Sequence, residues 1–311
     1  MKYETAGDPM SGLKWTRKTT EKIAAELESI GIRVSPNTAG KLLKKMGFSL
    51  RVNHKKIAYR GKRKPQDKQN RDRQFMYISE QRESFAQKGN PSISVDTKKK
   101  ELIGNFKNPG CAYGRESRAV NDHDFASYSE GKGIPYGVYD TQANRGMVFI
   151  GTTFDTAEFA VESIEKWWRR EGQRLYPQCK SILILADGGG SNGSRSSSWK
   201  LGIQEKLSDR HGLEVTVAHY PPGTSKWNPI EHRLFGEISK NWAGIPLVGY
   251  ETMLKFIRST KTKTGLKTQA YLVRKKYKKG KKIPDEQMSQ IQIDKHETLP
   301  DWNYTITPRT M

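Results

Sequence analysis

The sequence predicts an α/β protein: a mixed sheet flanked by helices, preceded by a small all-α helix-turn-helix module. Three observations carry this. From residue 92 onward, short β-rich runs and helical periods follow in the order strand, strand, strand, helix, strand, helix, strand, helix. Three strands joined by short turns, then β-α units, give a mixed sheet with helices on its faces. Ahead of them, residues 19–47 hold two short helical periods joined by a tight connection. The third observation is charge. Fifty-five Lys and Arg against 33 Asp and Glu leave a net +22 on 311 residues, and the cations are clustered. Such an excess points to a polyanionic partner, nucleic acid first.

Residues 1–18 show no period. Ile23, Leu27 and Ile30 then fall at i, i+4 and i+7, and Gly31 ends that helix. Ser35 offers an N-cap with Pro36 at the first helical position. The second helix aligns Ala39, Leu42, Leu43 and Met46 on one face and stops at Gly47. Its cations Lys41, Lys44 and Lys45 are candidates for contact with DNA. So are Arg51, Lys55, Lys56, Arg60, Lys62, Arg63 and Lys64, a run without an acid that suits phosphates. A polar helix over 66–87, with Phe75, Met76, Ile78 and Phe85 as sparse apolar contacts, is expected as a spacer.

The run SISVDT (92–97) is a short strand ending on Asp96. Residues 104–133, rich in Gly, Asn and charge, suit an irregular insertion. Strands over 134–140 and 147–152 flank the turn 141–144. Asp155 with Glu158 reads as a capping box for a helix bearing Phe159, Ile164, Trp167 and Trp168. The apolar strand SILILAD ends on Asp187 and enters a Gly/Ser loop. A helix over 199–210, the strand Glu214–Tyr220 and a helix after Pro229 complete the sheet unit. After Pro246 come a short helix, twelve Lys and Arg between Lys255 and Lys282 with no acid, and a tail, Trp302 to Ile306, open to forming a strand or packing on the surface. The expected divisions are 1–64, the helix-turn-helix module with its basic linker; 65–91, the spacer; 92–245, the sheet domain; and 246–311, a basic region.

Several classes are excluded. No run reaches the roughly 18 apolar residues of a membrane helix, and the N-terminus lacks the apolar core of a signal peptide. Cys111 and Cys179 have neither zinc spacing nor a disulfide framework, which fits a reducing, cytoplasmic, nucleoid-associated setting. The glycines at 188–193 lack the GKS or GKT of a P-loop.

The chemistry concentrates on three carboxylates. If the strands ending at Asp96 and Asp187 are parallel neighbours, both acids lie at their carboxyl ends, where open sheets place their sites. Glu231, in the first turn of the helix after Pro229, can reach the same point, although Asn228-Pro229-Ile230-Glu231 is also a plain helix-capping series. Converging acids repel unless hard cations neutralise them, and oxygen-only ligation selects Mg²⁺ or Mn²⁺. Two such ions can clamp the attacking and leaving oxygens of a phosphodiester. Asn192 is a candidate for holding a phosphate or a metal-bound water, and Lys226 for holding the strand being cut; His219, Tyr220 and His232 flank the same loop. Asp122 and Asp124 lie in the irregular stretch, and Asp140 ends a strand antiparallel to its neighbour, pointing away from the site.

At these residues the chain resembles a known family. SISVDTKKKELIGNFKN, LILADGGGSNGSRSSSWK and HYPPGTSKWNPIEHRLFGEISKNW closely resemble the ISAzo-type bacterial insertion-sequence transposases, a branch of the DDE transposases. The resemblance runs from about Leu13 to the end, including TKTGLK and WNYTITPR. It implies an RNase H-like catalytic domain over 92–245, with Asp96, Asp187 and Glu231 as its acidic, metal-binding triad. It further implies metal-dependent cleavage at element ends and joining of a 3′-hydroxyl to target DNA. The partners it implies are double-stranded DNA, as terminal inverted repeats and target, and further copies of the chain assembled on that DNA. Family members carry a longer N-terminal DNA-binding region, and this chain is expected to begin inside it. Two alternatives stay open: an inactive relic that only binds DNA or represses, and a nuclease of the same fold without strand transfer.

Overall fold

A computed structural model describes residues 5–7, 14–16, 19–48, 65–112, 116 and 118–309. The chain divides into two units, 1–60 and 61–311. In the first, β1 (Thr5–Gly7) and β2 (Lys14–Thr16) form an antiparallel hairpin in a stretch whose sequence shows no period. Helix α1 (Thr20–Ser29) starts where the Thr19 hydroxyl accepts from Lys22 N–H, and α2 (Pro36–Lys45) where Ser35 accepts from Thr38 N–H. Gly31 and Gly47 stand just past the two helix ends at φ 86° and 82°, a conformation that suits glycine. The two helices bury Ile23, Ala24 and Ala39, whereas Ile30, Leu42 and Met46, expected on the buried face, are exposed. The basic run from Arg51 to Lys64 falls outside the described residues.

The second unit opens with α3 (Pro65–Gln87), followed by β3 (Ser92–Thr97) and β4 (Glu101–Ile103). The long hairpin β5 (Gly131–Asp140) and β6 (Arg145–Gly151) comes next. Helix α4 (Ala157–Trp167) then runs through a π turn into α5 (Gln173–Leu175). Strand β7 (Ser181–Asp187), α6 (Ser197–Ile203) and β8 (Glu214–Tyr220) follow the predicted order. The helix after Pro229 opens on a π turn, Glu231–Phe235, and continues as α7 (Gly236–Asn241). The remainder is α8 (Tyr250–Ser259), β9 (Lys267–Val273), α9 (Asp285–Ser289), β10 (Ile293–Lys295) and β11 (Asn303–Ile306).

One mixed sheet organises this unit, in the order β10-β11-β8-β7-β3-β5-β6-β9, with β4 paired to β5. β3, β7 and β8 are parallel neighbours, and β5 and β6 are antiparallel to the strands before them. β6 therefore points the same way as β3. The alternation along β7 shows why its run is apolar throughout. Ile182, Ile184 and Ala186 join a core with Phe159, Ile164 and Trp167 of α4 and Trp199 of α6, while Leu183 and Leu185 meet Tyr77, Ile78 and Phe85 of α3. A strand covered on both faces needs no polar side.

The helix read as a spacer thus packs on the sheet. Its buried Gln74 exchanges amide hydrogen bonds with Asn303 of β11, each 2.7 Å, and donates to His219 O at 2.8 Å. The basic C-terminal region likewise supplies both edges: β9 adds in parallel to β6, and β11 adds antiparallel to β8 with β10 outside it. On the α3 side of the sheet, Ile230, Leu234, Phe235 and Ile238 of the helix after Pro229 cover Tyr139, Val148 and Ile150. Two glycines make the seat. A Cβ at Gly137 would come within 2.7 Å of Phe235, and one at Gly146 within 2.5 Å of Leu234.

Opposite, Glu162 of α4 ties three segments together. Its carboxylate accepts from Lys206 (2.5 Å), Lys275 (2.6 Å) and the Tyr277 hydroxyl (2.7 Å). Burial alone would raise this carboxyl, but those donors outweigh it and hold the pKa at about 2, against an ordinary 4.5. The stabilisation is therefore complete above about pH 4.5 and fades as the pH falls toward 2. We expect Glu162→Gln to cost about 2–3 kcal/mol at pH 7. Denaturant midpoints should show a gap between wild type and variant that closes on acidification to about pH 2.

Candidate active site

Asp96 and Asp187 lie at the carboxyl ends of neighbouring parallel strands, because Val95 pairs with Ala186 in the ladder. Asp96 is only 8% exposed, and Thr97 N–H donates to its Oδ1 at 2.7 Å. Burial, the Asp187 charge, and the charge and hydrogen bond of Glu231 push the Asp96 carboxyl up to about 8, against the pull of the Thr97 N–H. Asp187 is also raised, first by burial and then by Asp155 and Glu231, with Gly189 N–H and the Asn192 amide pulling the other way. All three predicted acids are brought into mutual electrostatic reach.

Glu231 is aimed by a clamp that joins its helix to β3. Buried Ser94 donates its hydroxyl hydrogen to Asn228 Oδ1 and accepts from Ile230 N–H at 3.0 Å. Asn228 Nδ2 in turn donates to Val95 O at 3.3 Å. The helix start is thus capped by Ser94 of the strand beneath it, with Asn228 turned toward β3. Its first turn is a π turn beginning at Glu231 itself, a distortion that often marks functional sites.

A fourth acid stands nearby. Asp155 does not cap α4, because the N-cap is Thr156, which accepts from Phe159 N–H at 3.2 Å. Asp155 accepts instead from Thr97 Oγ1 at 3.1 Å and lies 3.9 Å from Lys100 Nζ. Strand direction explains it: β6 runs the same way as β3 and β7, so its carboxyl end lies at the same end of the sheet as theirs. An acid just beyond a third strand of that direction was the available signal.

The other candidates separate cleanly. Asn192, read as a phosphate or metal-water ligand, is 1% exposed. Its amide bonds Asp187, and its Oδ1 accepts from the buried Tyr136 hydroxyl at 2.8 Å, so it faces the acid from within the protein. His219 and Tyr220 are buried, and His219 bridges Trp302 O and Asn192 O, both at 2.9 Å. Lys226 is exposed, as is His232, which bonds Lys226 O. Lys41, Lys44 and Lys45 are exposed on α2. Asp140 lies at the far end of its strand, receiving Gln142 and Ala143 N–H and the Tyr176 hydroxyl, a structural role.

Among the described residues, no three His, Cys, Asp or Glu side chains form a ready-made metal cage. The donor chemistry nonetheless fits a hard divalent ion. The acids offer oxygen alone, and a cation would relieve the repulsion that raises Asp96.

A mixed sheet flanked by helices carries Asp96 and Asp187 at the carboxyl ends of its parallel strands, and comparison with known families gives the class, a DDE transposase domain. A family model described as Rhodopirellula transposase DDE domain matches residues 1–308, and the chain belongs to that family. Solved structures resemble it at lower similarity. The mariner Mos1 paired end complex with Mg is 16% identical over 77% of this chain and 65% of that one, with a TM-score of 0.46. The Mos1 strand transfer complex is 18% identical over 77% and 65%, with a TM-score of 0.45. The chain therefore spans about two thirds of the length of the solved chains it matches. No curated protein matches it.

Proposed function

We propose that this chain is the transposase of a bacterial insertion sequence, cutting phosphodiester bonds at the element's ends and transferring the 3′-hydroxyl into target DNA. The observation that carries the reading is the meeting of Asp96, Asp187 and Glu231 in a member of a DDE family. Asp96 and Asp187 would hold divalent ions from the strand ends and Glu231 from the helix above. When bound, two Mg²⁺ or Mn²⁺ ions would supply Lewis-acid stabilisation to the attacking and leaving oxygens of an in-line displacement. The chain's own part is orientation: Asn192 holds the Asp187 carboxylate, Thr97 N–H holds Asp96, and the Ser94–Asn228 clamp sets the height of Glu231.

In this reading α1 and α2 form a helix-turn-helix reader, with Lys41, Lys44 and Lys45 and the run Arg51 to Lys64 on DNA phosphates. Lys226 would hold the strand near the acids. Copies of the chain would assemble on paired element ends in the cytoplasm. The test is nicking of supercoiled DNA carrying those ends. Mg²⁺- or Mn²⁺-dependent nicks at the ends, followed by joined products, support the proposal. Binding without any nick supports a DNA-binding relic instead, and hydrolysis without joining supports a nuclease.

A further inference from the structure

The loop leading into Glu231 carries a large aromatic side chain to the surface. Trp227 is 55% exposed, yet hydrogen bonds and ring contacts tie its surroundings to the fold. Its N–H donates to Thr224 O at 2.8 Å, and the buried Thr224 hydroxyl donates to Pro221 O at 2.6 Å. The next residue, Asn228, is buried and bonded to β3. Phe75 of α3 supports the indole edge-on, with ring centroids 6.1 Å apart, and itself leans on Tyr220 at 6.2 Å. Cations stand over both outer rings: Lys226 Nζ is 5.3 Å from the Trp227 centroid, and Arg71 Cζ is 5.8 Å from that of Phe75.

A fixed aromatic face in water, flanked by positive charge, matches one kind of ligand well. Unpaired nucleobases offer an apolar π-face beside a phosphate chain, whereas the bases of an intact duplex are already stacked on one another. The position agrees, since Trp227 precedes Glu231 by four residues and lies at most about 14 Å from it along the chain. We propose that Trp227 is a stacking platform for an unpaired base of the DNA strand that enters the acidic site, with Lys226 and Arg71 beside that strand's backbone. Such a base arises wherever the duplex opens next to the cut. The inference rests on the DNA-cleaving reading above and deepens it by naming the form of DNA held at the site.

The test uses the full chain without divalent metal and a single-stranded oligonucleotide containing 2-aminopurine, whose fluorescence falls on stacking, beside a blunt duplex of the same sequence. Wild-type protein should quench the single strand. Trp227→Ala should lose the quenching and weaken single-strand binding about tenfold while duplex binding is unchanged. Trp227→Phe should retain most of both effects. Wild-type quenching and affinity in Trp227→Ala, or equal losses for single strand and duplex, would overturn the proposal. Failure of the DNA-cleaving reading shows separately, as wild-type protein that does not nick whatever the fluorescence does.

Discussion

Asp96→Asn, Asp187→Asn and Glu231→Gln should each lower metal-dependent DNA cleavage by about 10²–10³-fold or more, the scale of removing one electrostatic stabiliser from a transition state. Binding to DNA should persist, because these substitutions leave every cation proposed to hold it in place. Asp96→Asn and Asp187→Asn should leave the metal-free protein more stable. Burial, then the neighbouring carboxylates, raise Asp96 to about 8, so an amide of equal size removes desolvation and repulsion while keeping the shape. A gain of about 1–3 kcal/mol is expected for Asp96→Asn, and a smaller one for the more exposed Asp187, which is also raised. Mg²⁺ should then raise the Tm of wild type but not of Asp96→Asn, since only the native state offers the site. Thermal melts with and without Mg²⁺ check both statements. An Asp96→Asn variant that cleaves normally, or melts lower than wild type without metal, would remove Asp96 from the site. Higher stability with lost activity is the signature of a site held at an energetic cost for function.

Much of this site is legible in the sequence because it follows from strand order. An apolar run ending on Asp187 must be central, and β3 running parallel beside it brings Asp96 alongside. What escapes local reading depends on residues far apart in the chain. β9 carries alternation too weak to stand out among flanking lysines, yet it pairs in parallel with β6, more than a hundred residues earlier. Gly137 and Gly146 look like ordinary strand glycines until Phe235 and Leu234 are laid over them. Asn192 sits in a Gly/Ser loop, where polar side chains usually face solvent, and only the Tyr136 hydroxyl beneath shows it to be internal. Asp155 was hidden by Glu158 three residues on, a spacing that imitates a capping box, whereas Thr156 is the cap. At Asn228 the capping pattern and the functional position coincide. The helix does begin there, but the atom that caps it is Ser94 Oγ of β3.

That clamp leads to the second large effect. Asn228→Ala should cost about 1–3 kcal/mol of stability, because it removes the acceptor of the buried Ser94 hydroxyl and leaves a void at a site closed to water. Ser94→Ala should cost about the same, since Ile230 N–H and Asn228 Oδ1 lose their partner together. The loss of cleavage should exceed what stability accounts for. Both variants stay folded well below their melting temperatures, yet Glu231 is no longer registered against Asp96, and a displacement of about 1 Å can cost about 10²-fold in rate. Affinity for Mn²⁺ without DNA, read by titration, should fall in parallel with cleavage, a response a purely structural role would not produce. The double variant should lose little more than either single one, because the two side chains act as one unit. Additive losses, or Mn²⁺ affinity equal to wild type, would show that Glu231 is aimed by its helix alone and that the bond to β3 serves only the fold.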